Sequence, residues 1–162
     1  MSENTFKTKS GYCHVLPDKI VLTRDGVIGN LSKVVNGNGI SRILILYSLI
    51  SIYLLYSSYS KFQKDEFVPA IFYLGLAVFL ISGIFRSINN SATPIIERSK
   101  IKEVKFINGT KGVTRSRFEV FFEDEKGKIK KRFILLPGSL SNGDSATKKA
   151  LEIMKNEKLI VL

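Results

Sequence analysis

Two adjacent residues, Cys13 and His14, are the only cysteine and the only histidine of the chain. A thiol beside an imidazole can supply a nucleophile and its base. The surrounding "YCHVLPDKIVLTRDG" is typical of two short strands around Pro17 and Asp18, and consecutive strand residues project to opposite faces. We therefore expect half-buried strand positions rather than a catalytic pair. A single cysteine also excludes an internal disulfide and a cysteine-based metal cluster.

Three consecutive acids, Glu123, Asp124 and Glu125, are of the residue type that binds a hard cation. A Lys-Gly-Lys sequence follows them directly. Mixed charges around a glycine are typical of a solvated hairpin turn, so the sequence favours a turn over a cation site.

The stretch "GSLSNGDS" at 138–145 precedes a helical pattern and resembles an anion-binding loop. It lacks the Gly-Lys-Ser/Thr ending of a nucleotide loop, and Asp144 would repel a phosphate. We therefore predict no catalytic residue, no cofactor and no metal, and expect that the chain is not an enzyme. An enzyme remains the alternative. A purine-biosynthesis ligase such as phosphoribosylaminoimidazole-succinocarboxamide synthase is unsupported, because its phosphate-binding elements are absent.

Two long segments, 43–60 and 67–85, contain no charged residue. As helices they would be about 27 and 28 Å long, close to the hydrocarbon thickness of a bilayer. Neither has the polar face of a soluble surface helix. The sequence therefore predicts a transmembrane hairpin within 40–88, with a buried hairpin of a soluble bundle as the alternative.

Small residues on both segments predict how the two helices pack, because they let membrane helices approach closely. The predicted packing residues are Ser48, Ser51, Ser58, Gly75, Ser82 and Gly83. A polar channel along the serine and tyrosine face is less favoured, since neither segment carries a charge.

Positive charge is asymmetric about the hairpin. Eight Lys and Arg residues flank it on the side of the termini, whereas Lys61 and Lys64 of the loop are offset by Asp65 and Glu66. Cytoplasmic flanks are enriched in Lys and Arg, so we expect an inner- or plasma-membrane protein with both termini in the cytoplasm.

The flanking segments, 1–39 and 89–162, carry strand patterns. A third strand is predicted in "GVIGNLSKVVNGNG", and others in "TPIIE" and "SKIKEVKFING". In "SRFEVFFEDE" the residues Phe118, Val120 and Phe122 alternate with polar residues, which predicts one strand of a hairpin with "IKKRFILLP". A capped amphipathic helix is predicted at 145–158.

This order resembles small bacterial membrane proteins with a pleckstrin-homology-like (PH-like) domain. The stretches that carry the resemblance are 43–60, 67–85, "SRFEVFFEDEKGKIKKRFILL" and "SATKKALEIMKNEK". The resemblance implies an α+β membrane protein in which a two-helix hairpin is joined to a bent antiparallel sheet closed by a C-terminal helix. It also implies a non-catalytic, membrane-bound interaction module.

The net charge of +11, from 25 Lys and Arg against 14 Asp and Glu, predicts an anionic partner. Basic residues near a membrane attract anionic headgroups by about 1 kcal/mol each. The candidate headgroup contacts are Arg86, Arg98, Lys100, Lys102, Lys105, Lys128, Lys130, Lys131 and Arg132. The alternative is that these charges only solvate the domain.

Nucleic acid is a less favoured partner. It requires aromatic and basic residues on one exposed face, but Phe118 and Phe122 are predicted opposite Arg117 and Glu119. The predicted partners are therefore membrane lipids. An accessory role beside a membrane-protein partner is the alternative.

Overall fold

The computed structural model describes residues 4–24, 40–110, 112–138 and 143–160, apart from the side chain of Ser41. The chain divides into two compact units, one of Met1–Asn36 with Asn90–Leu162 and the other of Gly37–Asn89. Segments on both sides of the hairpin therefore belong to one unit. The described residues form an α+β protein with three α-helices and two antiparallel sheets.

The unit Gly37–Asn89 contains two helices, α1 (Ile40–Phe62) and α2 (Phe67–Ser87). Pro69 lies in the first turn of α2, where its missing N–H costs least. The turn between the helices places Asp65 in the left-handed region, at φ 58°. An exposed ion pair of 2.6 Å joins Lys61 and Glu66 across the turn. The two helices are thus joined by a tight turn into a helical hairpin.

Both helices are long and apolar enough to cross a membrane. Among their described side chains only Ser51, Ser58, Ala70 and Ala77 are buried. The remaining apolar side chains are largely unprotected within the chain, which is unusual for a helix in the core of a soluble protein.

The other unit begins with a four-stranded antiparallel sheet in the order β1-β2-β3-β4. Its strands are β1 (Thr5–Thr8), β2 (Gly11–Val15), β3 (Lys19–Thr23) and β4 (Ile95–Glu97). Strands β3 and β4 pair in the register Ile20↔Ile96, although both helices lie between them in sequence. The two strands predicted around Pro17 and Asp18 are confirmed. Strand β1 was not predicted, and the third strand predicted before the hairpin, within 26–39, lies outside the described residues.

The second sheet has the order β5-β6-β7, formed by β5 (Ile101–Ile107), β6 (Arg117–Glu123) and β7 (Ile129–Leu135). A 3₁₀ turn, Arg98–Lys100, precedes β5. Helix α3 (Gly143–Asn156) follows, two residues earlier at each end than predicted. The predicted hairpin of β6 and β7 is confirmed in antiparallel register, with Phe118 opposite Ile134.

Both sheets and α3 share one hydrophobic core. Its fully buried members include Cys13, Ile20, Ile96, Phe118, Val120, Leu136, Ala150 and Met154. The predicted inward alternation of Phe118, Val120 and Phe122 is confirmed, and Val104 and Phe106 of β5 pack on the same core. Each large apolar side chain contributes about 1.5–3 kcal/mol by leaving water. This core fixes the positions of the polar residues on the sheets.

Candidate functional site

Cys13 and His14 project to opposite faces of β2, as adjacent strand residues must. Cys13 is fully buried in the core, and this burial raises the pKa of its thiol far above the ordinary value. The thiol therefore stays protonated and unreactive. Both residues are buried rather than half-buried, so that part of the prediction is wrong.

The buried imidazole of His14 links three strands. Its Nδ1 lies 3.0 Å from Thr5 Oγ1 and its Nε2 lies 2.8 Å from Thr23 Oγ1. Desolvation lowers the pKa of His14, so the ring is neutral at pH 7. With hydroxyl partners on both nitrogens, His14 satisfies buried polar groups of β1 and β3.

The three-acid run forms the turn between β6 and β7. Asp124 Oδ1 accepts hydrogen bonds of 2.9 Å from the backbone N–H groups of Lys126 and Lys128. These bonds, the one from Lys128 first, lower the pKa of Asp124. Gly127 occupies the left-handed region at φ 71°. The predicted solvated turn is confirmed, and Asp124 caps it.

The glycine-rich stretch at 138–145 is described only at its ends, because 139–142 lie outside the described residues. A Cβ on Gly143 would come within 2.6 Å of the Gly138 backbone, so this close approach requires glycine. Asp144 is exposed in the first turn of α3.

The contact between α1 and α2 is built from small residues. Ser58 Oγ donates a 2.8 Å hydrogen bond to the backbone oxygen of Ala70 on the facing helix. Ala70 and Ala77 lie one heptad apart and are both buried, opposite buried Ser51 and Ser58. Ser48 is half-buried, and its Oγ bonds to Leu44 O within α1.

The prediction that Gly75, Ser82 and Gly83 pack in this contact is wrong. A Cβ added at Gly75 or Gly83 would meet no atom within 4 Å, and Ser82 is exposed. At 100° per residue these positions point well away from the Ala70 and Ala77 face. Ala70 and Ala77 fill that role, and the heptad between these two alanines was the overlooked signal.

The structure separates the nine candidate headgroup residues. Arg86 lies in the last turn of α2, in the helical unit. Arg98 forms a 2.7 Å ion pair with Glu157 after α3, so its charge is neutralised locally. Arg132 lies on the core side of β7, opposite Val120. Six lysines remain, and they fall into two groups on the β-rich unit.

The first lysine group, Lys100, Lys128 and Lys130, lines a cleft of about 580 Å³. Lys126 also lines it, as do the carboxylates Glu97, Glu123, Asp124 and Glu125. Lys100 is 2.9 Å from Glu97, and the hydrogen bond with Glu97 raises the pKa of Lys100. Four ammonium groups therefore face four carboxylates, so the cleft is nearly charge-balanced.

The second group, Lys102, Lys105 and Lys131, lies on the solvent face of the β5-β6-β7 sheet, here called the outer face. Each of these lysines has a glutamate within ion-pair distance, at 2.9, 3.3 and 3.6 Å respectively. At its centre Glu119 is only 9% exposed and also pairs with Arg117 at 2.9 Å.

Two phenylalanine side chains lie among these charged residues. Lys131 Nζ lies 5.8 Å from the ring centre of Phe121 and 4.7 Å from that of Phe133, and Lys105 Nζ lies 5.4 Å from Phe121. The prediction against nucleic acid rests on Phe118 and Phe122 alone, and it missed Phe121 and Phe133. The "FF" doublet was the signal for Phe121, since two consecutive phenylalanines of one strand cannot share a face.

No group of three His, Cys, Asp or Glu side chains suited to a metal occurs within the described part of the chain. Comparison with protein-family models, curated proteins and solved structures finds no match.

Proposed function

We propose that this chain is a non-catalytic integral membrane protein. Helices α1 and α2 cross the inner or plasma membrane, and the β-rich unit is a cytoplasmic interaction module. The observation that carries the proposal is the exposure of apolar side chains along both helices. Ile52, Phe79 and Phe85 are 64%, 74% and 72% exposed. Each such side chain forfeits about 1.5–3 kcal/mol in water, a cost that lipid removes.

A PH-like assignment of the β-rich unit is supported by its strand order. Four strands form one antiparallel sheet, three form another, and a single C-terminal helix packs on their common core. The resemblance implies one bent antiparallel sheet closed by a C-terminal helix, whereas the strands here form two sheets, so the support lies in the antiparallel strands and in helix α3 on their common core. The proposal assigns this module a binding role as a scaffold, which is the role that the PH-like resemblance implies.

Alkaline carbonate extraction of membranes tests insertion. The wild-type chain is expected in the pellet. A variant with Leu49→Arg, Ile52→Arg and Phe79→Arg is expected in the supernatant, since each arginine at a span centre costs about 2.5–3.5 kcal/mol. Release of the wild-type chain would contradict membrane insertion and make the helices part of a soluble assembly.

Cysteine labelling tests the orientation. Buried Cys13 is protected, so an added cysteine reports alone. An impermeant maleimide added to intact cells is expected to label Lys64→Cys in the hairpin turn. It is expected to leave Val113→Cys, which replaces a residue 81% exposed, unlabelled until lysis. The reverse pattern would place the β-rich unit outside.

For contact with anionic headgroups the proposal narrows to the cleft lysines Lys100, Lys128 and Lys130. Lys100 has a glutamate within ion-pair distance, as each outer-face lysine does. The cleft is favoured because of Lys128, which is exposed at the turn between β6 and β7. Exposed charges attract an anionic surface over about 8–10 Å at physiological salt.

Energy transfer in nanodiscs tests this contact. A fluorophore is attached to Glu125→Cys, at the rim of the cleft, and energy transfer between it and a labelled lipid is measured. Replacing zwitterionic lipid by phosphatidylserine is expected to raise transfer. Changing Lys100, Lys128 and Lys130 to Gln is expected to abolish that rise, whereas changing Lys102, Lys105 and Lys131 to Gln, a matched loss of three charges, is not. Equal effects of both variants would leave only non-specific attraction.

An accessory role in a larger membrane complex is the second candidate. The observation that favours it is the open space beside Gly75 and Gly83, which lie on a face of α2 away from α1. Replacing Gly83 by a photoreactive amino acid is expected to crosslink the chain to a partner in native membranes, giving a product of one defined mass. The same residue at the turn position Gln63 is the control, and identical products from both sites would oppose this role.

A further inference from the structure

The β-rich unit contains a cavity of about 280 Å³, distinct from the cleft described above. It lies where the β1–β2 hairpin approaches β7, and the backbone N–H of Lys9 donates a 2.8 Å hydrogen bond to Leu135 O there. Hydroxyl side chains line one part, contributed by Thr8, Ser10, Tyr12 and Thr23. Leu22, Pro94 and Ile134 add apolar walls, and Arg132 supplies a positive charge.

Arg132 is incompletely satisfied. Its Nη1 donates a 3.0 Å hydrogen bond to Ser91 O, but its Nε is buried and has no partner. Within the described residues no carboxylate lies within ion-pair distance of it. Desolvation also lowers the pKa of Arg132. A half-buried cation without a counter-ion is unfavourable, so an anion bound beside Arg132 would stabilise the folded chain.

We propose that this cavity binds a small oxyanion, a phosphate or carboxylate group, with Arg132 as its counter-ion and the hydroxyls of Tyr12 and Thr23 as further donors. A guanidinium presents its N–H groups in a fork that matches an oxyanion. The volume lies just below the usual range of small-molecule pockets, which fits a compact ligand. The apolar walls fit a short carbon portion attached to the anion.

The position of Thr23 strengthens the site. Thr23 Oγ1 lies 2.8 Å from His14 Nε2, inside the buried Thr5–His14–Thr23 chain. When Nε2 carries the ring proton it donates to Thr23, whose own hydroxyl hydrogen is then directed elsewhere and is available to the cavity. His14 acts here as a positioning residue, because it does not line the cavity.

Thermal unfolding of the full chain in zwitterionic nanodiscs, in Tris chloride, tests the site with inorganic phosphate and acetate as probes. One of these anions is expected to raise the unfolding temperature saturably, at matched ionic strength. Arg132→Gln is expected to weaken binding by on the order of tenfold or more. The same variant without ligand is expected to unfold at a higher temperature, because an unpaired buried charge is removed.

Lys148→Gln, an equal loss of charge on the exposed face of α3, is the control and is expected to bind like the wild type. Tyr12→Phe keeps the ring and removes one donor, so a severalfold loss is expected even if Arg132→Gln fails to fold. A third arm uses phosphatidic acid nanodiscs without free anion. A rise in the unfolding temperature in these nanodiscs that depends on Arg132 identifies a lipid headgroup as the ligand. A rise that occurs only with free phosphate or acetate identifies a soluble ligand. Absence of any saturable shift, or unchanged binding by Arg132→Gln, would overturn the proposal.

Discussion

Arg98 and Glu157 form an ion pair of 2.7 Å that joins the 3₁₀ turn after β4 to the residue following α3. Both side chains are less than one quarter exposed, at 22% and 23%. Arg98 Nη1 also donates to Leu16 O at 3.2 Å, and Asn4 Nδ2 donates to Glu157 Oε1 at 2.7 Å. One carboxylate therefore connects the N-terminal segment, the start of the second sheet and the end of the last helix.

The first prediction concerns this connection. Arg98→Ala is expected to lower the free energy of unfolding of the β-rich unit by about 2 kcal/mol, because it leaves a partly buried carboxylate without its cation. Urea denaturation monitored by circular dichroism measures this. Lys100→Ala, which removes an exposed cation from the same turn, is the control and is expected to change little. Equal effects would mean that the ion pair is no stronger than a surface contact.

The second prediction separates the two faces of α2. Ala77→Phe places a large side chain in a closed contact and is expected to destabilise the hairpin by about 1–3 kcal/mol. Gly83→Phe places the same ring where no atom lies within 4 Å and is expected to be tolerated. Denaturation of the full chain in mild detergent with increasing SDS compares them. If Gly83→Phe proved the more harmful, α2 would contact something at its open face.

The hairpin also illustrates where the sequence is informative. Its existence and approximate ends follow from the uncharged segments 43–60 and 67–85. The contact face does not, because a helix that is apolar all round has no polar side to indicate its phase. Ser51 and Ser58 were predicted in the contact, whereas their partners Ala70 and Ala77 were not.

The strands likewise include features that the sequence predicts and features that it does not. The alternation of Phe118, Val120 and Phe122 predicted a core face directly, because strand residues alternate with period two. Strand β1 was missed, since Thr-Phe-Lys-Thr is too short and polar for a clear pattern. The pairing of Ile20 with Ile96 joins residues separated by the whole hairpin, and no local pattern predicts such a contact. The cavity beside Arg132 depends on that long-range assembly and was likewise not predictable.

The third prediction follows from the pKa of His14, which burial lowers below its ordinary value of about 6.5. Below that pH the unfolded chain binds a proton that the folded chain resists, so the free energy of unfolding falls as the pH falls. His14 is the only histidine, so it is the main side chain that titrates between pH 8 and pH 5. The loss is expected to begin near pH 6.5 in the wild type.

His14→Gln keeps hydrogen-bonding capacity toward Thr5 and Thr23 and provides the control. Its unfolding temperature is expected to be nearly constant between pH 8 and pH 5, apart from the onset of carboxylate titration. A wild-type profile that was flat down to pH 5 would mean that the folded chain protonates His14 without cost, contrary to its buried position.

The fourth prediction concerns Glu119, the buried carboxylate at the centre of the outer face. Arg117 and Lys131 approach it at 2.9 and 3.6 Å, and Lys131 Nζ also lies 5.8 and 4.7 Å from the ring centres of Phe121 and Phe133. Glu119→Ala is expected to cost about 2 kcal/mol, because two cations then lose their shared partner. Glu103→Ala, at an exposed carboxylate of the same face, is expected to cost less than about 0.5 kcal/mol.

A double-mutant cycle of Glu119→Ala with Arg117→Ala, measured by urea denaturation, is expected to give a coupling of at least about 1 kcal/mol. Additive losses would show that the two charges act independently, and the outer face would then be an ordinary solvated surface rather than a fixed network.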